Sequence, residues 1–337
     1  MKEAMFYETL SEGSVRCALC NHHCKIKDGK RGLCGVRENH DGRLYSLVYG
    51  KMVAEHIDPI EKKPLFHFFP GSAAYSIGTM GCNFRCTYCQ NFEISQYPRE
   101  NGAKIIGESV TSEEIVSAAK AGGCQSIAYT YTEPTIFYEF AYDTAVLAQK
   151  EGIRNVFVSN GYMSKEAAKH LAPYLDAINI DLKSFTETFY KEICGARLEP
   201  VLETIQLMRD LGVWVEVTNL IIPDLNDAQD NLQAIARFLK GVGEVIPWHI
   251  TRFYPAFKLL NPPPTPVQVL RQTRKMGLDQ GLRYVYGGNL PGDEDENTYC
   301  YNCGAVLIRR RNLSLEQNLV EKGKCPECGK PIDGVGL

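Results

Sequence analysis

No stretch of this 337-residue chain approaches the run of about 18 apolar residues that a membrane-crossing helix requires. A charge bias is also missing. Lys and Arg number 37 against 40 Asp and Glu, leaving a formal net charge of −3. The chain therefore has no polyelectrolyte character, and nothing in it calls for nucleic acid as an obligatory partner. The opening MKEAMFYETLSEGSVRC lacks the basic-then-apolar order of a secretory leader, and no long internal repeat is visible. These absences point to a cytoplasmic globular chain with no membrane partner. A content of 44% hydrophobic and 23% charged residues is ordinary for one.

What the sequence has in excess is cysteine, thirteen in all. A long chain without an export signal does not suit a disulfide framework. Eleven of the thirteen fall into three tight groups: Cys17, Cys20, Cys24 and Cys34; Cys82, Cys86 and Cys89; and Cys300, Cys303, Cys325 and Cys328. Thiolates two or three residues apart converge on one centre, which suits a metal. Cys124 and Cys194 stand alone and read as buried core residues.

Between residues 73 and 287 short apolar runs alternate with amphipathic stretches. The runs at 73–80, 125–131, 154–160, 176–182, 213–222, 247–253 and 283–287 are strand candidates, and 111–121, 136–149, 164–171, 199–211 and 227–239 are helix candidates. Thr111-Ser112-Glu113-Glu114 has the form of a helix N-cap with acidic first-turn residues. This alternation predicts an α/β fold with a parallel sheet covered by helices. The six or seven units suit a partial (β/α)6 TIM-type barrel with ligands at the carboxyl ends of its strands. Three regions follow: a Cys-rich N-terminal extension (1–72), the partial barrel (73–289) and a small C-terminal module (290–337), the last introduced by the linker LPGDEDENT at 290–298.

The segment Gly81-Cys82-Asn83-Phe84-Arg85-Cys86-Thr87-Tyr88-Cys89 directly follows the first barrel strand. Three cysteines spaced by three and then two residues can hold three irons of a [4Fe–4S] cubane and leave the fourth iron open. Zinc would ordinarily need a fourth protein ligand, and none is nearby in sequence. The spacing, with the aromatic Tyr88 before the last cysteine, resembles the signature of the radical S-adenosylmethionine (SAM) superfamily. The resemblance implies that the open iron chelates SAM and that reductive cleavage of SAM yields a 5′-deoxyadenosyl radical. The cofactor carries that chemistry, and the protein supplies orientation and a dry pocket.

Later segments extend the likeness toward the pyruvate formate-lyase activating enzymes. Tyr131-Thr132-Glu133-Pro134 is similar to their Thr-Glu-Pro form of the segment that binds the SAM amino group, although the superfamily's glycines are absent here. Glu133 is thereby implied as the ammonium contact. Ser159 and Asn160 fall where the family meets the SAM ribose. Asp181 and Lys183 match its Asp-Leu-Lys, the acid suited to ribose hydroxyls and the cation to the methionine carboxylate. His249, in PWHITRFYP, matches a SAM-binding histidine. Ile222-Pro223-Asp224-Leu225-Asn226-Asp227 resembles a Val-Pro-Gly-x-Asn-Asp segment that forms a turn and helix cap. The stretches Asp58–Pro64 and His67–Gly71, taken with both terminal cysteine groups, resemble the radical SAM member of the AmmeMemoRadiSam system. That likeness implies AMMECR-type and Memo-type proteins as partners, and a ferredoxin or flavodoxin as reductant.

The terminal groups read separately. Cys300-x2-Cys303 and Cys325-x2-Cys328 have zinc-ribbon or rubredoxin-like spacing, with zinc the expected ion in a small module that needs its metal to fold. Cys17-x2-Cys20-x3-Cys24-x9-Cys34 suits either zinc or an auxiliary [4Fe–4S] cluster. His22 and His23 are alternative ligands there. Asp58, Glu61, Lys62 and His67 form either a solvated turn or a lip of the active site. Two functions compete. One is a glycyl-radical-activating type of oxidoreductase that takes hydrogen from a protein or small molecule. The other is a radical enzyme modifying a partner protein, nucleic acid or metabolite.

Overall fold

The computed structural model describes residues 1–290 and 294–337. Of the linker expected at 290–298, residues 291–293 lie outside the described residues. Eight strands form the central sheet: β1 (Ala54–Pro59), β2 (Ala73–Gly78), β3 (Ser126–Tyr129), β4 (Arg154–Ser159), β5 (Ala177–Asp181), β6 (Trp214–Ile221), β7 (Trp248–Arg252) and β8 (Val285–Gly288). They lie side by side in chain order. β2 to β8 pair in parallel, whereas β1 runs antiparallel to β2. All seven strands expected from sequence are present, so the parallel array is one strand wider than a six-unit barrel. The sheet stays open, because β8 and β1 are its two ends.

The residues explain the sheet. Ser126–Tyr129 is buried along its whole length, as are the first four residues of β5, which is what a strand covered on both faces requires. Helices α1 (Ser112–Ala121), α2 (Tyr138–Lys150), α3 (Lys165–Leu171), α4 (Glu199–Asp210), α5 (Gln229–Val242) and α6 (Val267–Asp279) provide that cover. α1 opens on a full capping box: Glu114 N donates to Thr111 Oγ1 at 3.2 Å, and Thr111 N donates to Glu114 Oε2 at 2.7 Å. α5 buries Leu232, Ile235, Ala236, Leu239 and Val242, an apolar stripe at helical spacing.

Both terminal segments pack onto this frame. The first 52 residues form short antiparallel strands, and one of these, Arg37–His40, is tied to α2 by a buried ion pair. Arg37 donates from two nitrogens to the Glu139 carboxylate at 2.8 and 2.9 Å, and Met5 N donates to the same carboxylate at 2.7 Å. At the other end Thr298–Tyr299, Val306–Arg311 and Ser314–Asn318 make a three-stranded antiparallel sheet. No described helix is long and apolar enough to cross a membrane.

Candidate active site

A cavity of about 630 Å³ opens at the carboxyl ends of the parallel strands. Cys82, Cys86, Tyr88 and Cys89, from the loop after β2, all line it. So do Glu133 after β3, Ser159 and Asn160 at the end of β4, Asp181 and Lys183 at the end of β5, and His249 on β7. The fold thus gathers the three central cysteines and every side chain that the resemblance assigned to SAM. These positions are remote in sequence and meet because parallel strands in register deliver their ends to one edge.

The cysteine loop is held from beneath. Arg85 N and Thr87 N donate to the carbonyls of Cys194 and Ile193 at 2.8 and 3.1 Å. Those acceptors belong to a widened helical turn, Tyr190–Cys194, of the kind common at functional sites. Cys194 is fully buried, as expected. It is nonetheless no remote packing residue, because its sulfur lies 3.9 Å from the Tyr88 hydroxyl. Gly81 adopts φ +94°, and a Cβ there would stand 2.7 Å from Val36 Cγ1 and 3.0 Å from the Cys34 carbonyl oxygen. Only glycine fits both constraints. Burial pushes the Cys82 thiol up, with the nearby Glu133 carboxylate adding to it. A metal must therefore displace that proton on binding.

The sulfur spacing tests which metals fit. Among the described residues, the cysteine group whose sulfurs all lie within 4.8 Å of one another is the C-terminal quartet. There Cys300 and Cys328 sulfurs are 3.6 Å apart, and those of Cys303 and Cys325 are 3.7 Å apart. A tetrahedral ion with bonds of about 2.3 Å needs edges of about 3.8 Å, so the quartet suits one metal ion. The central three line one cavity at wider spacing, as thiolates that each cap a separate iron must.

The polar side chains around the cavity are tightly fixed. Glu133 is 1% exposed and accepts four hydrogen bonds: from Thr135 N (3.0 Å), Thr135 Oγ1 (2.5 Å), Ser159 Oγ (2.8 Å) and Asn160 N (2.7 Å). Even so, burial holds its carboxyl above the usual range. Asn160 Nδ2 donates to Asn83 Oδ1 at 2.7 Å, tying β4 to the cysteine loop. Lys183 Nζ lies 3.1 Å from Asp181 Oδ2 and 6.0 Å from the Tyr88 ring centroid. Burial works against its charge, but Asp181 and Cys86 outweigh burial and keep the ammonium protonated.

His249 is oriented by Glu216, which sequence reading missed. His249 Nε2 lies 2.6 Å from Glu216 Oε2, and the same carboxylate accepts from Phe66 N, His67 N and Trp214 Nε1. The signal was a lone glutamate inside the apolar run Val213–Ile222, where a charge persists only if it is paired. Glu61, Lys62, Lys63 and Phe66 also line the cavity, so the stretch after β1 is its lip. Asp58 itself binds Lys62 (2.8 Å), Lys63 (2.7 Å) and the Tyr131 hydroxyl (2.7 Å). Those partners hold it well below the usual carboxylate range against the opposing effect of burial. Glu61 Oε2 is buried without a hydrogen-bond partner.

A parallel α/β sheet with three thiols and a ring of polar residues at its carboxyl edge is the arrangement expected of a radical SAM domain. The sequence profile of the Radical SAM superfamily matches residues 76–239, and the chain belongs to that superfamily. An uncharacterised protein of Methanocaldococcus jannaschii is 51% identical over 99% of this chain and 100% of its own length. The pyruvate formate-lyase-activating enzyme of Clostridium pasteurianum is 24% identical over 50% of this chain and 72% of its own, a more distant homologue. Two solved structures share the fold. Streptococcus suis SuiB bound to S-adenosylmethionine aligns with a TM-score of 0.52 at 13% identity, covering 68% of this chain and 53% of SuiB. A radical SAM methyltransferase from Sphaerobacter thermophilus aligns at 0.50 with 15% identity, covering 65% and 67%.

Proposed function

We propose that the cavity binds SAM against a [4Fe–4S] cluster held by Cys82, Cys86 and Cys89, and that the enzyme takes a hydrogen atom from its substrate. When bound, the cluster supplies the electron that breaks the S–C5′ bond of SAM. The chain's own residues position and enclose. Glu133 offers a fixed acceptor for the SAM ammonium, a charge-assisted contact, while Lys183 faces its carboxylate. Ser159, Asn160 and Asp181 suit the ribose hydroxyls. His249, with Nε2 spent on Glu216, keeps Nδ1 for the cofactor. Tyr88 and Phe66 supply apolar walls that exclude water.

One observation carries this reading: the three cysteines after β2 and side chains from β3, β4, β5 and β7 share a single cavity, within the ordinary range of about 300–1,000 Å³ for ligand sites. Glycyl-radical activation is the first substrate class to test, given the homology. The lip formed by Glu61–Pro64 and Leu313 favours a second reading, in which the substrate is a small molecule or an extended peptide. The terminal segments add AMMECR-type and Memo-type proteins as candidate partners, and the C-terminal quartet is assigned zinc.

Anaerobically reconstituted protein given dithionite and SAM should release 5′-deoxyadenosine and methionine. Cys82→Ala, Cys86→Ala and Cys89→Ala should each abolish release while one C-terminal metal ion per chain remains. A fully loaded wild type that makes no 5′-deoxyadenosine with any candidate substrate sinks the proposal. Deuterium passing from a labelled substrate into 5′-deoxyadenosine would choose between the substrate classes.

A further inference from the structure

The N-terminal cysteines line a second cavity, which Asn83 of the central loop also lines. Cys17 ends the strand Val15–Cys17, and Cys17 N donates to the Cys24 carbonyl at 3.0 Å, closing a turn that brings Cys20 and Cys24 round beside it. Cys34 reaches the same cavity from the segment before Arg37–His40. All four line it together with Leu19, Ile26, Leu33 and Ile136. Cys17 and Cys34 are buried, whereas Cys20 and Cys24 are half-buried.

Two features distinguish this quartet from the C-terminal one. Its four cysteines line one small enclosed cavity, and their sulfurs are not drawn to within 4.8 Å of one another. Four sulfurs tetrahedral about zinc at about 2.3 Å would stand about 3.8 Å apart. A cubane sets them farther apart, since each thiolate caps a different iron around a wider core. The second feature is Asn83, which lines the cavity and has its Nδ2 buried without a partner. Cluster sulfide or thiolate would accept from it.

The seam between the two sites is short. Asn83 follows Cys82 in sequence. His22 Nε2 donates to the Asn83 carbonyl at 2.9 Å. Arg99 donates to the Leu33 carbonyl at 2.8 Å and also to the Cys82 carbonyl. A Cβ on Gly81 would stand 3.0 Å from the Cys34 carbonyl oxygen.

We propose that Cys17, Cys20, Cys24 and Cys34 hold a second [4Fe–4S] cluster that relays single electrons from a protein carrier to the central one. The carrier loses one electron, and the N-terminal cluster passes from the 2+ to the 1+ state. It returns to 2+ as the central cluster is reduced by the same electron. No bond to cysteine breaks and no proton moves. Only the relay half of this proposal rests on the radical SAM reading; the metal assignment stands alone.

The test is iron and zinc analysis with EPR spectroscopy on the full-length Cys82→Ala/Cys86→Ala/Cys89→Ala variant. Expected are about four irons, a cubane signal after reduction and one zinc per chain. Two zincs and no iron overturn the assignment. If that variant does not fold, the wild type decides, at about eight irons against four. For the relay, a Cys17→Ala/Cys20→Ala variant should keep the central cluster and cleave SAM with dithionite. Its rate with a flavodoxin- or ferredoxin-type donor should fall at least tenfold relative to wild type. Equal rates with the protein donor overturn the relay. Loss of cleavage in the wild type as well would instead count against the radical SAM reading.

Discussion

Glu133 combines burial with four donors, and both facts have measurable consequences. Glu133→Ala strands Ser159, Asn160 N and Thr135 in a buried site, which should cost about 2–4 kcal/mol in urea unfolding, with Glu133→Gln costing less. Because burial raises the carboxyl, SAM binding should weaken on acidification at a higher pH than an ordinary glutamate would show. Titration calorimetry should find that dependence in the wild type and not in Glu133→Gln. His67 offers a second pH probe. Its ring is fully buried, with Nδ1–H donating to the Asp333 carbonyl at 2.6 Å and Nε2 accepting from the Tyr286 hydroxyl at 2.5 Å. Burial pushes it down to about 4 from 6.5. The unfolded chain therefore binds the proton first. Stability is intact above pH 6.5 and declines as pH falls toward 4, by at most about 3 kcal/mol. Unfolding midpoints at pH 7.5 and 4.5 should show a smaller drop in His67→Asn. At this scale the sequence was informative wherever a residue sat just past a strand inside a short motif. Glu133, Asp181 and Lys183 were legible for that reason. Glu216 was not, since its partners Phe66, His67 and His249 come from segments that only the fold brings together.

Among the elements, the strands were the most legible, because residues buried on both faces leave continuous apolar runs. α6 was harder to see: Val267–Asp279 carries many charged and polar residues and buries only Leu270, Thr273 and Gly277. β1 was hidden too, since its one large apolar residue, Ile57, is exposed and the strand lies at the sheet's edge, antiparallel to its neighbour. The link between α2 and Arg37–His40 has a calculable weight. Removing Glu139 leaves a guanidinium buried without its counter-charge, so Glu139→Ala should destabilise the protein by about 3–5 kcal/mol. Replacing both residues with well-packed apolar ones should recover much of that loss. Urea unfolding of the single and double variants checks both statements.

Over the whole molecule, the C-terminal module does more than bind its own metal. Arg310, on Val306–Arg311, is buried. It donates to the Phe66 carbonyl at 2.6 Å and to Thr298 Oγ1 at 2.8 Å, and it lies 4.3 Å over the Phe66 ring. Phe66 in turn meets His249 edge-on at 4.7 Å, at the cavity wall. Disabling the distant quartet with Cys300→Ala/Cys303→Ala should therefore raise the Kd for SAM several-fold while leaving the central cluster loaded, as read by calorimetry and iron content. The cysteine spacing revealed this module but not its docking, which depends on Arg310, a residue with no motif around it. Leu313 of this module lines the same cavity, so loosening the module would open one side of the site to water.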